Sequence, residues 1–148
     1  MLIPYLKSFF ERDLTKLKVE IESYQNEDNL WLIEGSILNS SGNLCLHLIG
    51  NLNAFIGAEL GKTGYVRDRE FEFSGKHIPK QDLIQSIDHT LSMINNTLDS
   101  LSEEELKQDY PKIVFKEKMS AEYFLIHLST HLTYHLGQIN YHRRLLDK

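Results

Sequence analysis

The chain has 148 residues, 41% of them hydrophobic and 25% charged, which is enough apolar material for one ordinary domain and excludes a disordered tail. The formal charge of -5, from 16 basic and 21 acidic residues, argues against a nucleic-acid partner, since a duplex binder presents a basic face and here basic residues gather only at Arg143-Arg144 and at Arg67/Arg69. No run of about 18 uncharged apolar residues is present to span a membrane, and a single cysteine, Cys45, excludes an intrachain disulfide and a cysteine-rich zinc site.

Residues 2–23 place Leu2, Tyr5, Leu6, Phe9, Phe10, Leu14, Leu17 and Ile21 at steps of three and four, the pattern of an amphipathic helix. Lys7, Glu11, Arg12 and Asp13 interrupt those apolar residues, unlike the unbroken core of a signal peptide, so a cytoplasmic protein is expected. A polar stretch, Gln25 to Asn29, precedes the short apolar run Leu30-Trp31-Leu32-Ile33. Asn39-Ser40-Ser41 offers N-cap chemistry for a second helix reaching Leu60, with Leu44, His47, Leu48, Asn51, Leu52 and Phe55 in helical register. Gly61, Gly64 and the charged run Arg67-Asp68-Arg69-Glu70 predict a long loop, placed as a lid or rim. Pro79 suits the first turn of a third helix running to Leu98. Ser102-Glu103-Glu104-Glu105 is a capping box opening a short helix that stops near Pro111. Ile113-Val114-Phe115 is briefly extended, and Ser120 caps a last helix reaching Leu146. These elements predict a single all-α domain over residues 1–148: a four-helix bundle with a short extra helix and a long loop after the second helix.

Histidine is the unusual residue. The last helix carries His127, His131, His135 and His142. Two histidines four residues apart share a helix face with Cβ atoms about 6 Å apart, so both rings can reach one ion. His127 and His135 lie about 12 Å apart along the helix, so they cannot form the pair. Spacing leaves 127/131 and 131/135 both open. A further ligand must come from elsewhere, and His47, in the apolar run Leu44-Cys45-Leu46-His47-Leu48-Ile49, is the best placed. The competing reading is a set of hydrogen-bonded core histidines. His77 and His89 read as solvated, and Cys45, roughly 200° around the helix from His47, as a small buried apolar residue. Asn51 and Gln138 are candidates to hold the imidazoles in place, or ordinary interhelical hydrogen bonders. A zinc-protease helix needs HExxH, but Leu132 follows His131; a di-iron bundle needs ExxH, and Glu122 lies five residues before His127. Three histidines with few carboxylates suit zinc, nickel or iron better than magnesium or calcium.

The segment from Asn39 to Leu52, the run Arg67 to Phe71 and the closing His131-Leu-Thr-Tyr-His135-Leu-Gly-Gln138-Ile resemble the DinB-like superfamily, most closely its DUF1572-type branch. The resemblance implies a four-helix bundle of up-down-down-up type, often dimeric, with one divalent metal on His47, His131 and His135, and it favours the 131/135 pair. His127 then lines the pocket. Relatives implied by the resemblance include transferases and isomerases that use low-molecular-weight thiols such as bacillithiol, so a metal-dependent thiol S-transferase acting on a small molecule is one expectation. Arg67, Arg69 and the basic C-terminal end would hold carboxylates of the thiol; taken singly, each reads more simply as solvated surface charge or as a salt-bridge partner of Asp68 or Glu70. A non-enzymatic, metal-stabilised homodimer serving as a binding or stress-response module is the other. Leu136 stands where such relatives usually carry Arg or His after the last ligand, which weakens any role resting on that side chain.

Overall fold

The first helix, α1 (Leu2–Glu22), forms because its apolar residues recur with helical period, and it buries Leu6, Phe10, Leu14, Leu17 and Ile21 against the rest of the chain. Each such side chain contributes roughly 1.5–3 kcal/mol on leaving water. In this computed structural model, which describes residues 1–148, Tyr5 and Phe9 fall outside that stripe and are 56% and 44% exposed, correcting the wider apolar face expected from spacing alone. Asp13 sits inside the stripe. Burial pushes its carboxyl up, but hydrogen bonds from Arg12 and Thr133 and the charge of Arg12 outweigh burial, so it lies below the ordinary carboxylate range.

A 3-10 turn (Glu27–Trp31) buries Leu30 and Trp31. Helix α2 (Ser41–Leu52) starts at Ser40, whose hydroxyl accepts from the Asn43 amide. It runs on as a π-helical segment, Asn53–Ala58, a widening that recurs beside functional sites. Helix α3 (Arg69–Ser74) occupies what the charge run predicts as loop; Asp68 caps it by accepting from the Phe71 amide at 3.1 Å. Helix α4 (Lys80–Asp99) follows Pro79, and α5 (Glu103–Leu106) opens on the expected reciprocal capping box of Ser102 and Glu105. Residues 113–115 form no strand; the only β-bridge pairs Asp109 with Ser120. Helix α6 (Ala121–Leu146) is capped by Ser120 as anticipated.

Helix α1 packs on α4 and α6, and α2 packs on the same two, giving the order α1, α4, α2, α6 around a four-helix bundle. Successive helices α1 and α2 are therefore diagonal, which the long connection between them permits. No helix is long and apolar enough to cross a membrane. Helix α3 lies across α2, clamped by the buried Asn43, whose amide donates to the carbonyls of Glu72 (3.0 Å) and Gly75 (2.8 Å). That clamp, with the α2–α6 packing, positions the site.

Candidate metal centre

His47 lies mid-way along α2 and is 7% exposed; His131 and His135 lie one turn apart on α6 and are half-buried. Where α2 crosses α6, the three rings converge. His131 Nε2 is 3.3 Å from His47 Nε2 and 3.2 Å from His135 Nε2. One nitrogen from each ring falls within a common span of 4.8 Å. Ligands about 2.05 Å from a tetrahedral ion stand about 3.3 Å apart, so two edges of the triangle already have the spacing of a shared metal.

Protonation follows from the partners. His47 Nδ1–H donates to Glu72 Oε1 at 3.0 Å, and His135 Nδ1–H donates to Gln138 Oε1 at 2.7 Å. Both rings thereby turn an Nε2 lone pair toward His131. Burial pushes His47 down, outweighing the hydrogen bond and charge of Glu72. Burial, helped by His135 and His47, pushes His131 down to about 4. Nε2 lone pairs of His47 and His135 turned to one point beside His131 suit a shared cation. The three residues therefore fit a divalent ion, and they leave coordination positions that no other side chain fills.

Glu72 is the functional residue that sequence reasoning missed. It is 4% exposed, and both its oxygens are engaged: Arg67 Nε–H donates to Oε2 (2.8 Å), and Arg67 Nη2–H donates to Oε1 (2.9 Å) beside His47. A carboxylate on the far nitrogen of a ligating histidine fixes its tautomer and orientation. Glu72 can approach α2 only because residue 50 is glycine: a Cβ there would overlap Glu72 Oε2 and lie 2.6 Å from Cδ. The available signals are a glycine within a helical pattern, three residues after His47, and an acid between Phe71 and Phe73. Arg67, for which the sequence offers Asp68, Glu70 or a ligand as partner, grips Glu72 instead.

The remaining candidates separate cleanly. Gln138 orients His135 as anticipated, whereas Asn51 does not reach His47, and its buried Oδ1 has no partner. His127 packs between Phe115 and Phe124, its ring centre 6.3 Å from that of His131, lining the pocket outside the triad. His142 is structural: its Nε2–H donates to the Leu32 carbonyl at 2.9 Å, and the Tyr24 hydroxyl donates to Nδ1 at 2.6 Å. His77 and His89 are exposed. Cys45 is fully buried, its thiol pushed up to about 12 by burial. Arg143 is bound to Glu20, 2.7 Å away, and Arg144 lies over Tyr141, so the C-terminal basic pair serves the helix surface.

Two cavities flank the centre. One, of about 410 Å³, is bounded by His47, His131, His127, Arg67, Arg69 and Phe55. The other, of about 520 Å³, is bounded by His135, Gln138, Tyr134, Tyr141, Leu38 and Leu145. Both are of a size for small molecules.

No curated protein matches the chain significantly. A solved structure described as the conserved protein of a locus from Enterococcus faecalis superposes with a TM-score of 0.77 at 15% identity, over 97% of this chain and 95% of that one. At that identity the likeness establishes the fold. The family described as "Protein of unknown function (DUF1572)" matches residues 4–148, and the chain belongs to it.

Proposed function

We propose that His47, His131 and His135 hold one divalent ion, zinc, nickel or iron, and that the protein is a metal-dependent enzyme of the thiol S-transferase class. The observation that carries this reading is the pair of Nε2–Nε2 separations, 3.3 and 3.2 Å, among the three rings, with His47 and His135 braced from behind by Glu72 and Gln138. When bound there, a divalent ion supplies Lewis acidity, lowering the proton affinity of a thiol or water brought to its open side. Three protein ligands are the number that catalytic zinc sites use, where structural sites use four. The chain's own residues do the rest. Glu72 holds the His47 tautomer, Arg67 holds Glu72, and the two flanking cavities, one lined by His47 and His131 and the other by His135, admit the reactants. The electrophile and a cellular low-molecular-weight thiol exchange bonds: a C–S bond forms, the bond to the leaving group breaks, and the thiol proton passes to solvent.

Elemental analysis of protein purified without a histidine tag tests the first step, with one equivalent of metal expected and none in His135→Ala. Incubating the metal-loaded protein with a chlorodinitrobenzene and a low-molecular-weight thiol tests the second; thioether and chloride should appear in equal amounts. Stoichiometric metal without turnover on any cellular thiol would refute the transferase assignment and leave the metal site.

A second reading, a metal-stabilised homodimer acting as a binding module, is favoured by one observation. Leu38, Tyr134, Tyr141 and Leu145 around the larger cavity are 54–80% exposed, an apolar group of the kind partners cover. Sedimentation of the metal-loaded and metal-free protein separates the two: a dimer that dissociates on chelation supports the module.

A further inference from the structure

The smaller cavity contains groups that the metal centre does not use, and their chemistry identifies a ligand class. This inference deepens the metal-centre reading and rests on it. We propose that the cavity binds a carboxylate-bearing small molecule, the Arg69 guanidinium gripping its carboxylate while its other end reaches the three-histidine centre.

The charge distribution is the first argument. The chain is acidic overall, at -5, yet no aspartate or glutamate lines this cavity, and two arginines do. Arg67 is neutralised by Glu72, whose two oxygens are consumed by Arg67 and His47. Arg12 and Arg143 are likewise paired with carboxylates, at 2.8 and 2.7 Å. Arg69 has no carboxylate partner. Its guanidinium lies over the Phe73 ring, 5.7 Å from the centroid, and Phe73 in turn lies 4.9 Å from the His47 ring. Stacking uses the face of a guanidinium and leaves its N–H edge free for a bidentate carboxylate. An uncompensated cation at the rim of a cavity that would hold a divalent ion on its histidines attracts an anion from solution.

The second argument is Asn51. It is 7% exposed, it lines the cavity, and its Oδ1 has no hydrogen-bond partner. Buried polar atoms are ordinarily satisfied. A ligand that also carries a hydroxyl or N–H donor satisfies this one. Phe55 and Phe115 supply the apolar wall between the polar groups, and about 410 Å³ accommodates a metabolite but no peptide or nucleic acid.

The test uses two hydroxamates that differ in one carboxylate. Cobalt-loaded protein is titrated with acetohydroxamate and with succinic acid monohydroxamate, and binding is read from the cobalt visible spectrum. The expected result is a preference for the carboxylate-bearing probe on the order of ten-fold, the scale of one charge-assisted bidentate contact. Arg69→Gln should bring the two affinities together without changing that of acetohydroxamate, Arg69→Lys should retain part of the preference, and Arg144→Gln should leave it intact. Equal affinities in the wild type, or a preference that survives Arg69→Gln, overturns the proposal while leaving the metal centre standing. A protein that takes up no stoichiometric cobalt removes the metal centre and this inference together.

Discussion

Replacing Gly50 by alanine sets local preference against tertiary fit. A glycine inside a helix costs about 0.5–1 kcal/mol relative to alanine, so Gly50→Ala should stabilise α2 if only the helix matters. The tertiary structure opposes that gain. The new methyl carbon would overlap Glu72 Oε2 and lie 2.6 Å from Cδ, well inside contact distance. The carboxylate cannot swing aside freely, because Arg67 holds both of its oxygens and His47 donates to one of them. Overpacking of this kind costs about 1–3 kcal/mol. Set against the helix gain, the net loss is roughly 0–2.5 kcal/mol. Gly137 on α6 is the internal control: a methyl group there would meet nothing within 4 Å, so Gly137→Ala should stabilise by about 0.5–1 kcal/mol. The two variants are compared by urea denaturation of the metal-free protein, and their metal affinity by competition with a chromophoric chelator. Gly50→Ala should weaken metal binding about 10–100-fold by releasing the brace on His47, and Gly137→Ala should leave it unchanged. If both variants gain stability equally and bind metal as the wild type does, Glu72 does not brace His47.

Glu72→Gln keeps the shape but not the charge, and should lower metal affinity by about 10–100-fold with the fold retained, as read by the same chelator competition and by circular dichroism. His47→Ala and His135→Ala should each abolish stoichiometric metal in elemental analysis. Burial holds His142 below the ordinary histidine value, outweighing its hydrogen bond to the Leu32 carbonyl, so the unfolded chain takes up its proton first. Its stabilising contribution is therefore full above about pH 6.5 and declines as pH falls below that value. His47 and His131 shift the same way, so the measurement is the difference in urea midpoint between metal-free wild type and His142→Gln, which should narrow from pH 7.5 to pH 5. Asp13→Ala strips Thr133 and Arg12 of their shared acceptor between α1 and α6, and should cost about 1–3 kcal/mol in urea unfolding at pH 7, an effect that shrinks in acid as the wild-type carboxylate is protonated.

Periodicity and cap chemistry make the four long helices readable, because those signals are local. The Ser102 capping box and the Ser120 cap are written within four residues, and both form as expected. The row of α6 histidines has the same character, since steps of four set a helix face whatever surrounds it. Those steps fit 127/131 as well as 131/135, and it is the crossing with α2 that brings His131 to His47 and leaves His127 outside. Helix α3 escapes such reading because its six residues are too few for a periodic signal, and its charges resemble a solvated loop. Tyr5 and Phe9 read as core but are not, because spacing marks a face but not how much of that face a neighbour covers.

Short-range order along the chain therefore determined the helices, their caps and the all-α architecture, and set His127, His131 and His135 in one row along the last helix. Only the packed bundle decided which oxygen stands behind His47. Glu72 is 25 residues from it in sequence, brought there by the Asn43 clamp and admitted by the missing side chain at Gly50. Steric room and the pairing of buried charge depend on elements meeting across the fold, and no pattern of neighbours along the chain encodes that meeting.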